Sequence, residues 1–277
     1  MGRLSRRRAG FERRHWLFAA VLLACAAAWS ANLLLGEVRP GNDWALGYGV
    51  AALALLLVAA SYGVRRRLMS LASRKRAGSS SAWLAVHVYG GVLFLLLVLM
   101  HSGFGLPSGW VTWWLWGLSW WVVLVGLGGL FLQRWIPRLL TSGLTVEAHY
   151  DRIPELIEGV RERAEKVAAE SSPEVRDLYR RVVAPQLAGP RRRALYYVDI
   201  TGGIQIHLRE FTHLFRLLGD EEQRHLREIL RLMRTTLELD AHYTLQQPLR
   251  WWLYLHLPAS MLLLVFVVLH LLAVLLY

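Results

Sequence analysis

An all-α, polytopic membrane protein is the fold class this sequence predicts, and three observations predict it. Of the 277 residues, 55% are hydrophobic, a share that soluble chains of this length rarely reach. Five apolar runs each approach the twenty or so residues that carry a helix through a hydrocarbon core roughly 30 Å thick. The excess positive charge gathers beside those runs, as it does in membrane-flanking loops.

Composition narrows the function classes. The formal net charge is +12, and Lys75 and Lys166 are the only lysines. Because the basic residues flank apolar segments, they read as topology signals rather than as a nucleic-acid surface. Cys25 is the only cysteine, which excludes disulfides, cysteine-based zinc or iron–sulfur sites and CxxCH-attached haem within this chain. Tryptophans collect at span ends, as in WVTWWLW and PLRWW, where an interfacial aromatic belt accounts for them.

The elements follow in order. Residues 1–15 form a basic cytoplasmic N-terminus. Residues 16–136 hold four spans. The first, Trp16 to Leu35, is long enough to cross and reads as an uncleaved span, with AAAWSA only a weak cleavage signal. GEVRPGNDW turns the chain into a second span, about Trp44 to Val64, which stops at the basic block RRRLMSLASRKR. A third covers about Ala82 to Gly105, and GLPSGW leads to a fourth, about Val111 to Leu132, ending in QRWIPR. Residues 137–250 are a polar insert, and residues 251–277 are the fifth span. The positive-inside rule puts the N-terminus, the block Arg65–Arg76, Arg134–Arg138 and the insert on the cytoplasmic side of the cell inner (plasma) membrane, and the C-terminus outside.

The insert is expected to be mostly helical. Ile204, Leu208, Phe211, Phe215 and Leu218 recur at intervals of three and four, Gly219 is a stop signal, and a further helix is expected from Asp220 to about Leu239. ALYYVDITGGIQIHL also alternates, which would suit a hairpin about Gly202-Gly203; helix is the favoured reading. Glu210-x-x-His213 and Glu222-x-x-His225 have di-iron spacing, but a solvated charged face explains them more simply. His149, His207 and His242 carry no pattern.

The chemistry lies in two matched runs, HVYGGVLFLLLVLMH from His87 to His101 and HLPASMLLLVFVVLH from His256 to His270. Fourteen residues span about 21 Å of helix and make two heptads, so the two imidazoles of a run face one seam of a left-handed bundle. Spans three and five have one span between them and therefore run in the same direction. His87 and His256 then lie near the cytoplasmic face, and His101 and His270 near the outer face. Lone membrane histidines serve packing or proton relays. Four at one spacing and two matched depths point to two bis-histidine haem irons, the macrocycles lying between helices.

Gly90, Gly91 and Gly126 are candidate positions where a macrocycle would need no side chain, although glycine also serves close packing in membrane helices. Arg134 and Arg250 are candidate partners of the inner haem's propionates, and Arg39 is a cation near the outer level. VGLGGL lies inside a span with no preceding strand and is not a nucleotide loop. Pro258, two residues past His256, is expected to remove a helix hydrogen bond and bend the span.

These paired-histidine spans resemble membrane-bound dihaem cytochromes b: the cytochrome b subunit of quinol-oxidising bc complexes, and the transmembrane domain of ferric reductases and NADPH oxidases. The resemblance covers spans two to five and implies a four-helix haem bundle with two non-covalent haem b groups. It implies that His87 with His256 ligates the cytoplasmic-side iron and His101 with His270 the outer one, with no catalytic side chain. No flavin or nicotinamide segment is recognisable, and the insert matches nothing in that family. The expectation is an electron-transferring subunit of a respiratory complex. Its partners would be membrane lipid, a quinone pool or cytoplasmic donor, and an outer-face iron–sulfur protein or c-type cytochrome. A stand-alone quinol-oxidising or metal-reducing enzyme, and a transporter using the histidines as a proton relay, are the rival readings.

Overall fold

The computed structural model describes residues 2–36, 42–68, 79–141, 144, 148–209, 211 and 218–276. It is helical, and no strand occurs among the described residues. In chain order the helices are α1 (Gly2–Leu35), α2 (Asp43–Leu68), α3 (Ser80–His101), α4 (Trp110–Thr141), α5 (Ile153–Ala169), α6 (Pro173–Leu178), α7 (Ala184–Gln186), α8 (Ile200–Arg209) and α9 (Asp220–Leu276). Short 3₁₀ turns at Tyr150–Arg152 and Ala194–Tyr197 and a π turn at Tyr179–Val183 join the smaller helices. Five helices are long and apolar enough to cross a membrane: His15–Leu35 within α1, Asp43–Arg65 within α2, α3, α4 and α9.

The chain divides into two compact units, Met1–Leu127 with Leu255–Tyr277, and Gly128–Tyr254. Both boundaries fall inside helices. Residues 220–276 form one uninterrupted helix, so the helix expected to end near Leu239 continues into the fifth span, past both Pro248 and Pro258. A helix tolerates proline where neighbouring groups re-satisfy the freed carbonyl.

In the membrane unit the helix starts are set locally. The Asn42 side chain accepts from the Ala45 N–H at 2.7 Å to open α2, and the Ser79 hydroxyl accepts from Ala82 at 3.2 Å to open α3; each satisfies a donor the first turn leaves orphaned. α3 closes four residues earlier than the apolar run suggests. Gly103 and Phe104 adopt φ of 63° and 57°, and the Phe104 N–H returns to the Leu99 carbonyl at 2.8 Å, a left-handed stop that leaves His101 as the last helical residue.

α2 packs closely along α3, which its small residues Ala45, Ala52 and Ala59 permit. The core of this unit joins Tyr48, Leu56, Phe94, Leu97, Met100, Leu118, Val123 and Leu263. Other apolar side chains point outward: Leu23, Leu34, Val265 and Leu275 are all well exposed. An apolar exterior of this kind is what a hydrocarbon solvent selects and water does not.

The second unit buries a conventional core: Ile136, Val160, Ala164, Val183, Leu187, Tyr196, Ile229, Met233 and Leu237. The α5 stripe Ile153, Ile157, Val160, Ala164, Ala168 recurs at three- and four-residue intervals, the pattern of a one-sided helix in water. The helical reading of 200–209 holds, and no hairpin forms about Gly202-Gly203. Phe215 of the proposed stripe, most of the basic block after Arg65, Arg39, Glu210 and His213 lie outside the described residues.

Candidate functional site

In the membrane unit the four histidines meet in two pairs. The His87 and His256 rings stand with centroids 6.2 Å apart and planes at 78°; His101 and His270 stand 6.2 Å apart at 84°. Both pairs join residues 169 positions apart in the chain (256 − 87 and 270 − 101). A constant offset means that α3 and the end of α9 run parallel in register, as the two expected depths require.

The separation has chemical content. Ring bonds near 1.33 Å put an imidazole nitrogen about 1.1 Å from the ring centroid, and a metal–imidazole bond is about 2.0–2.1 Å. Two rings in line on one ion therefore have centroids roughly 6.3 Å apart. A direct hydrogen bond of about 2.9 Å would draw in-line rings to roughly 5.1 Å instead. For rings whose Nε2 atoms face each other, the spacing at both levels lies closer to the figure for one shared ion than to that for one shared hydrogen bond.

Second partners hold the α3 rings. His87 Nδ1 lies 2.9 Å from the Ala59 carbonyl oxygen, and His101 Nδ1 lies 2.7 Å from that of Ala45. A carbonyl only accepts, so each Nδ1 carries the hydrogen and each Nε2 keeps its lone pair. This is the usual second partner of a metal-ligating imidazole. The index sums are equal (87 + 59 and 101 + 45), so α2 runs antiparallel to α3 and serves both levels alike. On the other side of the site, α4 faces α9: a methyl at Gly126 would lie 3.2 Å from His256 Cε1, and the Trp114 ring stacks on Phe266 at 5.7 Å.

Around the first pair opens a cleft of about 110 Å³, walled by α2, α3, α4 and α9 and including Ala59, Gly91, Phe94, Val123, Gly126 and Leu264. Its walls are apolar apart from the two imidazoles and Ser260, whose hydroxyl donates to the His256 carbonyl at 2.7 Å. Gly91 has open space where a Cβ would stand. Of the three predicted glycines, Gly91 and Gly126 thus border the cleft; Gly90 is a buried residue of α3 and is not among its walls.

The predicted arginines belong to the other unit. Arg250 is ion-paired with Asp151 and lies over the Tyr150 ring, 4.5 Å from its centroid; Arg134 is exposed on α4. Two of the insert histidines without a sequence pattern, His207 and His242, have side-chain partners there. His207 accepts from Arg193 Nη1 at 2.5 Å through Nε2 and donates from Nδ1 to the Gly203 carbonyl at 2.9 Å. Arg193 in turn pairs with Asp240 at 3.2 Å. Burial pushes the Asp240 carboxyl above the ordinary carboxylate range, against the pull of the Arg191 N–H and the Arg193 guanidinium. Gln246 bridges His242 to the Ala148 carbonyl and the Tyr150 N–H. Glu222 accepts from the Gly219 N–H at 3.1 Å to open α9, a helix-capping duty.

Among the described residues no three His, Cys, Asp or Glu side chains converge on one point. The membrane histidines bring two imidazoles together at each level, and a macrocycle with four inward nitrogens is one group that would complete an ion's coordination there.

The residues sequence reasoning passed over are Ala45, Ala59 and Gly49 of α2. Their signal was present as a second fourteen-residue interval, ALGYGV at 45–50 against AASYGV at 59–64. Comparison of the chain with protein-family models, curated proteins and solved structures finds no match.

Proposed function

We propose that this chain is a dihaem b-type membrane cytochrome that moves electrons between the two faces of the bilayer. The observation that carries the reading is the same 6.2 Å imidazole separation at both levels, in parallel register and close to what one ion requires. His87 and His256 would hold the cytoplasmic-side haem, and His101 and His270 the outer one. Held between these imidazole pairs, a haem iron would supply one-electron chemistry.

The chain's own residues supply the rest. The Ala59 and Ala45 carbonyls fix the α3 rings so that Nε2 faces away from α2, and sharing the Nδ1 hydrogen raises the basicity of that nitrogen. Leu56, Phe94, Val123 and Leu264 line the inner cleft and keep water from the axial nitrogens, which favours redox cycling over ligand exchange. Fourteen residues of α3 separate the levels by about 21 Å, most of the hydrocarbon thickness. In this reading the chain is a subunit of a respiratory complex in the inner membrane. A quinone pool or cytoplasmic donor stands on one side and an iron–sulfur or c-type cytochrome partner on the other, with the N-terminus and second unit cytoplasmic.

A reduced-minus-oxidised optical spectrum of the purified chain, with haem measured against protein, tests it. Two b-type haems per chain are expected, and His256→Ala should lose one while sparing the other. Colourless wild-type protein would sink the proposal and leave a histidine proton relay as the better reading. Haem reduction by quinol with the purified chain alone would instead make it a complete quinol-oxidising enzyme.

A further inference from the structure

α2 repeats itself at the interval of the histidines it serves: Ala45, Tyr48, Gly49 and Val50 recur as Ala59, Tyr62, Gly63 and Val64. The two copies do not meet their rings in the same way. At the outer level a Cβ on Gly49 would stand 2.9 Å from His101 Nδ1 and 3.0 Å from Cε1, whereas at Gly63 nothing lies within 4 Å. At the inner level the aromatic ring of Tyr62 leans on His87, centroids 5.2 Å apart. Its outer counterpart Tyr48 instead neighbours Trp29 and Trp44, at 6.1 Å and 6.4 Å.

We infer that α2 is the orienting helix of the site, and that Gly49 is a positioning residue for the outer ligand His101, a role its repeat mate Gly63 does not share. The inference deepens the dihaem reading and takes its ligand assignments from it. Both α3 imidazoles are held with the hydrogen on Nδ1 by a carbonyl one turn before a glycine. At the outer level the hydrogen bond is 2.7 Å and the Gly49 backbone passes beside the same ring atoms. A methyl at Gly49 would be closer than real Cβ contacts allow, and the object it meets is a ring held at Nδ1 by the Ala45 carbonyl. The ring must turn or withdraw, which breaks the Ala45 contact and misdirects Nε2. At the inner level a methyl on Gly63 meets only open space, and the Tyr62 ring keeps His87 in place.

The test compares Gly49→Ala with Gly63→Ala in the purified full-length chain by two readouts. The first is haem per chain together with the low-spin electron paramagnetic resonance signal of each haem. Gly63→Ala should match the wild type. Gly49→Ala should keep the inner haem at one per chain, which reports a folded bundle, and either lose the outer haem or hold it at least tenfold more weakly with an altered signal. The second readout needs no haem: nitrogen-15 resonances of the imidazoles in the haem-free chain, assigned through His87→Gln and His101→Gln. Both rings should carry Nδ1–H in the wild type, and only His101 should lose that form in Gly49→Ala.

Identical behaviour of the two glycine variants, or Nε2–H on His101 in the wild type, would overturn the inference. Wild-type protein without porphyrin would overturn the dihaem reading instead, and the tautomers would still decide the role of α2. If Gly49→Ala lost both haems, the wild-type tautomers would decide it alone.

Discussion

Asp240 is wholly buried on α9, and its partners come from the 191–193 segment: the Arg191 N–H at 2.7 Å and the Arg193 guanidinium at 3.2 Å. Arg193 also donates to Gln186 and His207, so one side chain satisfies three acceptors. Removing it as Arg193→Leu strands a buried carboxylate, and thermal unfolding should show a loss of about 3 kcal/mol or more. The pH dependence has a definite sign. Because the folded-state carboxyl titrates above its ordinary value of 3.8, the folded protein holds that proton more tightly than the unfolded chain does. The contribution is fully present below 3.8 and is lost as pH rises through the raised value. An Asp240→Asn variant lacks this loss. Its stability relative to wild type should therefore improve as pH climbs through that window and stay level above it, as denaturant titrations at successive pH values would show.

Helix by helix, glycine separates close packing from open space. A Cβ at Gly129 of α4 would stand 1.9 Å from the Trp252 indole, whereas nothing lies within 4 Å of one at Gly128. Gly129→Ala should cost about 1–3 kcal/mol by overpacking, and Gly128→Ala should be silent in the same melting experiment. Gly91 differs from both, since it borders the inner cleft with open space before it. Gly91→Leu should exclude the inner haem and leave the outer one, read as a drop from two haems per chain to one with the fold intact by circular dichroism. Element type was legible in advance because apolar run length and three-to-four periodicity are local properties. Element ends were less so. The stop after His101 depends on left-handed backbone at Gly103 and Phe104, and the fusion of the last insert helix with the fifth span runs through Pro248, a residue whose local propensity argues against it.

For the whole molecule, five helices are long and apolar enough to span among the described residues; the proposed topology, with all five crossing, puts the two ends of the chain on opposite faces and, by the basic flanks, the N-terminus inside. In a Cys25→Ser background, a cysteine introduced near residue 5 should resist a membrane-impermeant maleimide in intact cells, and one placed after Tyr277 should react. Equal labelling at both ends would refute this topology. The charge that sets it is uneven: residues 3–14 and 65–76 carry most of the excess, while the second unit is nearly balanced. That unit is then better suited to fold in water than to bind a strongly charged partner.

By itself the sequence determined what depends on neighbours along the chain: membrane class, helix content, and the two fourteen-residue histidine runs that foretold which rings would meet. Only the tertiary structure decided what depends on neighbours across space. It showed that α2 carbonyls hold the α3 imidazoles at both levels, that Arg250 is already paired with Asp151, and that His207 supports a buried ion pair. A backbone carbonyl has no letter of its own in the sequence. Its role appears only when a second helix is laid against it, and for that reason the α2 device could pass as two alanines and a glycine in an apolar span.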